Sequence, residues 1–283
     1  MAIRQLTAVV ITAASLIGST AARAEELWRL VAQSHLIVVG EANPPSADIS
    51  SAQDSNQHRY IDIPISAPLC LKGACPENLR VSYYTRPAPY SPSPRQVLDA
   101  SGKRSIFFLI KVDYFYTNGI YFAGYTPSAL RSYSTTSADD IRQEVEAQRA
   151  ILDRGVTGSE RDPLYQTVKA LVNGMTNAET EAISFKQLEA LGDGAIPSII
   201  ALMDDRRPLP VRHIALVNTS PNAFEGLRHY SPELVVDALD AILNQIAGEN
   251  FGGIFNGGSE RARKLTVDAW RIYLAHRPAK SSS

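Results

Sequence analysis

Charge of one sign is missing from this chain: 28 Lys and Arg stand against 29 Asp and Glu over 283 residues, a net charge of -1. So even a balance leaves no basic footprint for nucleic acid. Cysteine is scarce too, at two residues, which excludes a disulfide-dense mini-protein. The 17 Gly and 17 Pro follow no fixed period, excluding collagen, and 45% hydrophobic residues exclude a disordered chain. No G-x-S-x-G, H-E-x-x-H, Walker loop or G-x-G-x-x-G occurs. His35, His58, His213, His229 and His276 are scattered, so a metal site would have to be assembled from distant segments. The neighbours Asp204 and Asp205 would point different ways on a helix and end it in solvent. We therefore expect no catalytic residue, no metal and no cofactor to announce itself.

What is present begins at the N-terminus. Residues 1–24 read as a secretory signal peptide, with Arg4 in the basic region, an apolar stretch from Leu6 to Ile17, and Ala22-Arg23-Ala24 as the small-x-small cleavage signal. Cleavage between Ala24 and Glu25 removes Arg4 and Arg23 and no acid, taking the net charge from -1 to -3. The apolar stretch is too short to span a bilayer comfortably, and no later run approaches the length of a membrane helix. The expected location is therefore periplasmic or secreted, with no membrane span after cleavage. Export makes a structural disulfide the expected state of Cys70 and Cys75, which have four residues between them. A redox pair usually has two intervening residues, and zinc would need two further ligands.

From Glu25 to about residue 135 the pattern is mainly that of strands. Leu27, Leu30 and Val31 predict a short opening helix, and His35 to Gly40 is an apolar run suited to a buried strand. Ile61, Ile63 and Ile65, and then Leu79, Val81 and Tyr83, alternate with other residues as half-buried strands do. Residues 42–57 and 86–94 read as long loops. Two β-rich runs flank Asn118-Gly119, a pair suited to a type I′ turn. Pairing about that turn sets Tyr116 opposite Tyr121, Tyr114 opposite Ala123 and Val112 opposite Tyr125. Tyr114, Tyr116, Tyr121 and Tyr125 then share one face, readable either as a binding surface of rigid amphipathic rings or as a face carried into the core beside Ile106, Phe108 and Ile110. The succession of a helix, "HLIVVGEA", alternating strands, "LCLKG" and "GKRSIFFLI" resembles small secreted β-barrel modules of the OB or netrin-like kind, over residues 30–125. Netrin-like protease inhibitors use an N-terminal Cys. Maturation here exposes Glu25, so the resemblance does not imply their inhibitory activity.

From Ser137 onward the period becomes helical. Ser137 with Asp140 reads as a capping box, and Gly155, Gly192 and Gly248 read as helix stops. Ser231-Pro232-Glu233 is a helix start, and Ser259 caps a last helix bearing Leu265, Trp270 and Leu274. Asn256-Gly257-Gly258-Ser259 reads as an ordinary connection with a Ser cap. Arg206-Arg207 and Arg261, Arg263 and Lys264 read as solvated basic faces. "FKQLEALGDGAIPSIIALMDD", residues 185–205, resembles one HEAT repeat, while residues 206–230 depart from that pattern. The tail around "GENFGGIF" and "AWRIYL" is similar to the end of secreted bacterial HEAT-like proteins. The resemblance implies a helical protein-binding scaffold.

These readings predict an α+β protein: a signal peptide (1–24), a small β-barrel or β-sandwich (25–135) and an α-helical HEAT-like domain (136–283). The expected function is that of an exported, noncatalytic module binding another protein and no nucleic acid. Its specific form would be an immunity or inhibitor protein against an envelope-acting toxin or hydrolase. An enzyme with a site dispersed between the two domains is the rival. Nothing in the sequence names the partner or the oligomeric state.

Overall fold

The computed structural model describes residues 27–43, 60–84, 91–111, 120–123, 126–155, 162–211, 213–217 and 227–277. Ala24, Glu25 and the rest of the expected signal segment lie outside them. The protein is α+β, and the chain divides into two compact units, Met1–Ala147 and Gln148–Ser283.

The first unit opens with helix α1 over 27–33, which buries Trp28, Leu30 and Val31. Strands β1 (Leu36–Ala42), β2 (Tyr60–Lys72) and β3 (Arg80–Tyr84) follow. After them come a short helix α2 (Pro94–Asp99) and strands β4 (Arg104–Ile110), β5 (Ile120–Ala123) and β6 (Leu130–Ser132). β1 and β4 are apolar runs with both faces covered, so they do not alternate; Leu36 to Val39 and Ile106 to Leu109 are all buried. Each strand takes its neighbour in an order that returns on itself. β1 pairs with β2 and with β4, β2 with β3, β3 with β5 in parallel, and β5 with β4. The result is a curled sheet around the core, with β6 added along β4.

Two irregularities bend β2 around β1. Between the pairs Val39↔Leu69 and Glu41↔Ser66, the single residue Gly40 faces both Ala67 and Pro68, which is a β-bulge. A Cβ on Gly40 would lie 2.4 Å from the Ile65 side chain, so only glycine lets the two strands approach this closely. A second extra residue, Leu71, falls between Ile37↔Lys72 and Val38↔Cys70.

The α2 helix was not expected, because four prolines mark residues 86–94 as loop. Ser93 caps it, with Gln96 returning the bond to the Ser93 N–H, and Pro94 sits at the first turn where its missing N–H costs nothing. Helix α3 (Thr135–Arg154) begins earlier than the Ser137–Asp140 capping box implies. Ser134 is the residue whose Oγ accepts the Ser137 N–H, at 3.0 Å. Its Ile141 and Val145 pack on the core of the first unit.

In the second unit α4 (Tyr165–Gly174), α5 (Glu181–Ala190), a 3-10 turn (Gly192–Ala195) and α6 (Ile196–Ala201) precede a two-stranded sheet, β7 (Ile214–Val217) with β8 (Leu227–Tyr230). Helices α7 (Val235–Ala247) and α8 (Glu260–His276) complete it. The small sheet occupies the stretch that departs from the HEAT pattern. Helix α7 is buried continuously from Val235 to Leu243, Asp237 and Asp240 included, and touches α5, α6 and α8.

Ser231 does not cap α7, which starts four residues later. The segment before it is held extended instead: Leu209 N–H donates to the Glu233 carbonyl and Val235 N–H to the Arg207 carbonyl, both at 3.0 Å. A helix over Pro232 and Glu233 would forfeit that pairing, and the N–H groups of Glu233 and Leu234 are taken by the Asp237 carboxylate. The Gly248 stop and the Ser259 cap stand where the sequence puts them.

Candidate functional site

Cys70 lies near the end of β2 and Cys75 in the β2–β3 connection. They are joined by a disulfide with a Cα separation of 5.6 Å, and no cysteine is free. Cys75 is exposed, while Cys70 is partly buried against the core. Beside them Leu69 is 42% exposed.

The expected tyrosine face lies largely outside the described residues. Tyr114, Tyr116 and Tyr125 lie outside the described residues, and Tyr121 is in β5, opposite Val81 of β3. The register about Asn118-Gly119 does not hold. Ala123 pairs with Leu109 and Phe122 with Ile110, so Ala123 is not opposite Tyr114. The physical reason is that β5 must satisfy two neighbours at once, the parallel pairing Arg80↔Ile120 and the buried end of β4. Burial fixes register more strongly than a local turn preference does.

The densest polar cluster is in the second unit, at the starts of α7 and α8. Asp237, with no exposed surface, receives Arg263 through Nε at 2.8 Å and Nη2 at 2.9 Å. Arg263 reaches Glu233 through Nη2 at 3.0 Å and Glu260 through Nη1 at 3.4 Å. Arg206 also meets Glu260, at 3.1 Å. The reading of Arg263 as part of a solvated basic face is thus overturned. It shares the inward stripe of α8 with Val267 and Trp270, and its three carboxylate partners keep it charged and raise its pKa above the ordinary arginine value.

One turn further along α7, the fully buried Asp240 accepts the Trp270 indole N–H at 2.8 Å. Burial pushes its pKa from 3.8 to about 7, opposed by the bonds from Trp270 and the Ile254 backbone and reinforced by the nearby Asp237. Trp270 in turn meets Phe251 edge-on, with ring centroids 4.8 Å apart. Glu181, at the first turn of α5, is buried as well; its pKa is raised by burial while the Val211 N–H at 2.9 Å works against the shift. Asp204 pairs with Arg271 at 2.5 Å, and Asp205 with Arg207 at 2.5 Å.

No family model, curated protein or solved structure matches the chain.

The chemistry available is therefore read from the side chains themselves. Arg263 spends its donors on three carboxylates of its own fold, and Asp237 spends its oxygens on Arg263 and two backbone N–H groups, so both act as ties rather than reagents. Asp240 has a pKa suited to proton transfer but no surface through which to reach a substrate. Among the described residues no group of three or more His, Cys, Asp or Glu is placed to hold a metal ion, and no helix is long and apolar enough to cross a membrane.

Proposed function

We propose that the protein is an exported, noncatalytic module that binds another protein. Its first unit would be a five-stranded barrel of the OB or netrin-like kind and its second a HEAT-like helical scaffold. The observation that carries the reading is the strand circuit β1-β2-β3-β5-β4, which comes back to β1. A five-stranded barrel of this size fills its interior with side chains and is free to bind only on its outer face and in its connecting loops. In OB barrels the connections β1–β2 and β4–β5 carry the ligand contacts. Tyr114 and Tyr116 stand between β4 and β5 in the sequence, and as rigid amphipathic rings they would be the aromatic anchors of the proposed surface.

The second unit supports a scaffold role. The segment similar to a HEAT repeat spans α5, the Gly192–Ala195 turn and α6, and both helices pack on the buried α7. Its strongest charged cluster is consumed in holding α7 to α8. The Cys70–Cys75 disulfide is in keeping with an oxidising compartment. A partner that is an envelope-acting toxin or hydrolase would make the protein an immunity or inhibitor protein.

The test is a pull-down with residues 25–283 from envelope extract, followed by reconstitution of the complex from purified components. A stoichiometric complex weakened by Tyr114→Ala with Tyr116→Ala supports the reading. Failure to recover any specific partner, together with turnover in a small-molecule substrate screen, overturns it in favour of an enzyme.

A further inference from the structure

We propose that the Cys70–Cys75 disulfide is a reversible redox site, a substrate for a dithiol reductant that attacks Cys75. The two sulfurs differ in setting. Cys70 sits in β2, held across from Val38 and packed partly against the core, whereas Cys75 is exposed in the β2–β3 connection. The residues that lead into it are small and exposed: Gly73, which needs its positive φ of 79° to turn the chain, and Ala74.

Thiol–disulfide exchange needs the attacking sulfur to approach along the S–S axis, and the exposed position of Cys75 offers that approach. The core does not depend on Cys75. Val38, Ile63, Phe107 and Leu109 are buried by strand pairing and helix cover whether or not the loop is tied. The site is thus a target for exchange and not itself an oxidoreductase.

The chemistry balances as two displacements. A reductant thiolate attacks Cys75 Sγ, the Sγ–Sγ bond breaks, and Cys70 leaves as a thiolate that takes up a proton. The reductant's second thiol then attacks the mixed disulfide and releases Cys75, so that the reductant is oxidised to a disulfide and the protein gains two thiols. Attack at Cys75 follows from access, since that sulfur is the exposed one.

The experiment uses the oxidised chain 25–283 in native buffer with dithiothreitol, and separately with a thioredoxin-type reductase lacking its resolving cysteine. Thiols are alkylated and mapped by peptide mass. Native chain should be reduced within roughly tenfold of the rate of urea-unfolded chain, because access rather than unfolding limits the exchange. Its far-ultraviolet circular dichroism should stay unchanged, and the trapped mixed disulfide should be on Cys75. Reduction only after unfolding, or trapping on Cys70, would overturn the proposal and leave the bond a permanent staple.

Discussion

Replacing Asp240 with asparagine should make the second unit more stable at neutral pH, and the gain should shrink as the solution is acidified. The carboxyl has no exposed surface and a pKa of about 7 in the fold against 3.8 in water. Between those values the folded chain holds a proton that the unfolded chain has released. Stability is therefore complete below pH 3.8, falls by about 1.4 kcal/mol per pH unit as pH rises toward 7, and levels off above it. Between pH 5 and pH 8 the wild-type chain should lose roughly 2–3 kcal/mol from this one group. Asparagine keeps an oxygen for the Trp270 N–H and never ionises, so it removes the slope. The assay is urea unfolding followed by Trp270 fluorescence at pH 5, 6, 7 and 8, with Trp28→Phe as the background in both proteins so that only the second unit reports. A difference between Asn and Asp that is the same at pH 5 and pH 8 would show that Asp240 is already ionised throughout, and that the burial argument is wrong.

Other consequences are simpler to read. Asp237→Ala should destabilise the second unit by about 3–5 kcal/mol, because it strands the buried Arg263 guanidinium along with the Glu233 and Leu234 N–H groups; thermal melting with Arg263→Met as the paired control separates stranded charge from lost packing. Gly40→Ala should cost about 1–3 kcal/mol through the clash with Ile65, measured by urea unfolding, whereas Gly102→Ala, with nothing within 4 Å of a new Cβ, should cost only the strain of its positive φ. Cys70→Ser with Cys75→Ser should lower stability by about 2 kcal/mol, the loop-closure entropy of a short ring, while the circular dichroism of the folded protein is retained.

Much of the first unit was legible because its strands announce themselves. The runs at Leu36–Val39 and Ile106–Leu109 are continuously apolar, and Ile61, Ile63 and Ile65 alternate. Missing were features fixed by distant partners. The β4–β5 register depends on β3, some 40 residues upstream of β5, and no local turn rule contains that constraint. The α2 helix was in reach, since Ser93 and Gln96 have capping-box spacing; the surrounding prolines masked it. Arg263 was also in reach. It stands four and seven residues before Val267 and Trp270, on the stripe the sequence marks as inward, and a charged residue on such a stripe calls for a buried partner. That partner, Asp237, lies 26 residues away on another helix, which is why the cluster could be suspected from spacing but not assembled from it. The functional surface is harder still, because a surface that binds a protein need not carry the fixed spacing a metal or a nucleophile imposes.

The return of the strand circuit to β1 has a consequence in time. Val38 pairs with Phe107, so the first strand cannot be covered until a chain segment almost seventy residues downstream has been made and brought back. Pairings of such span fold slowly, because loop closure must be paid for before the contacts form. Until then Leu36-Ile37-Val38-Val39, paired with β2 alone, is an uncharged, β-prone stretch with one open edge, the kind of segment that seeks other chains. The helices of the second unit close over much shorter distances, α5 on α4 and α8 on α7. The part synthesised first should therefore be the part that becomes native last, and it is at β1 that a chaperone would find its longest-lived target.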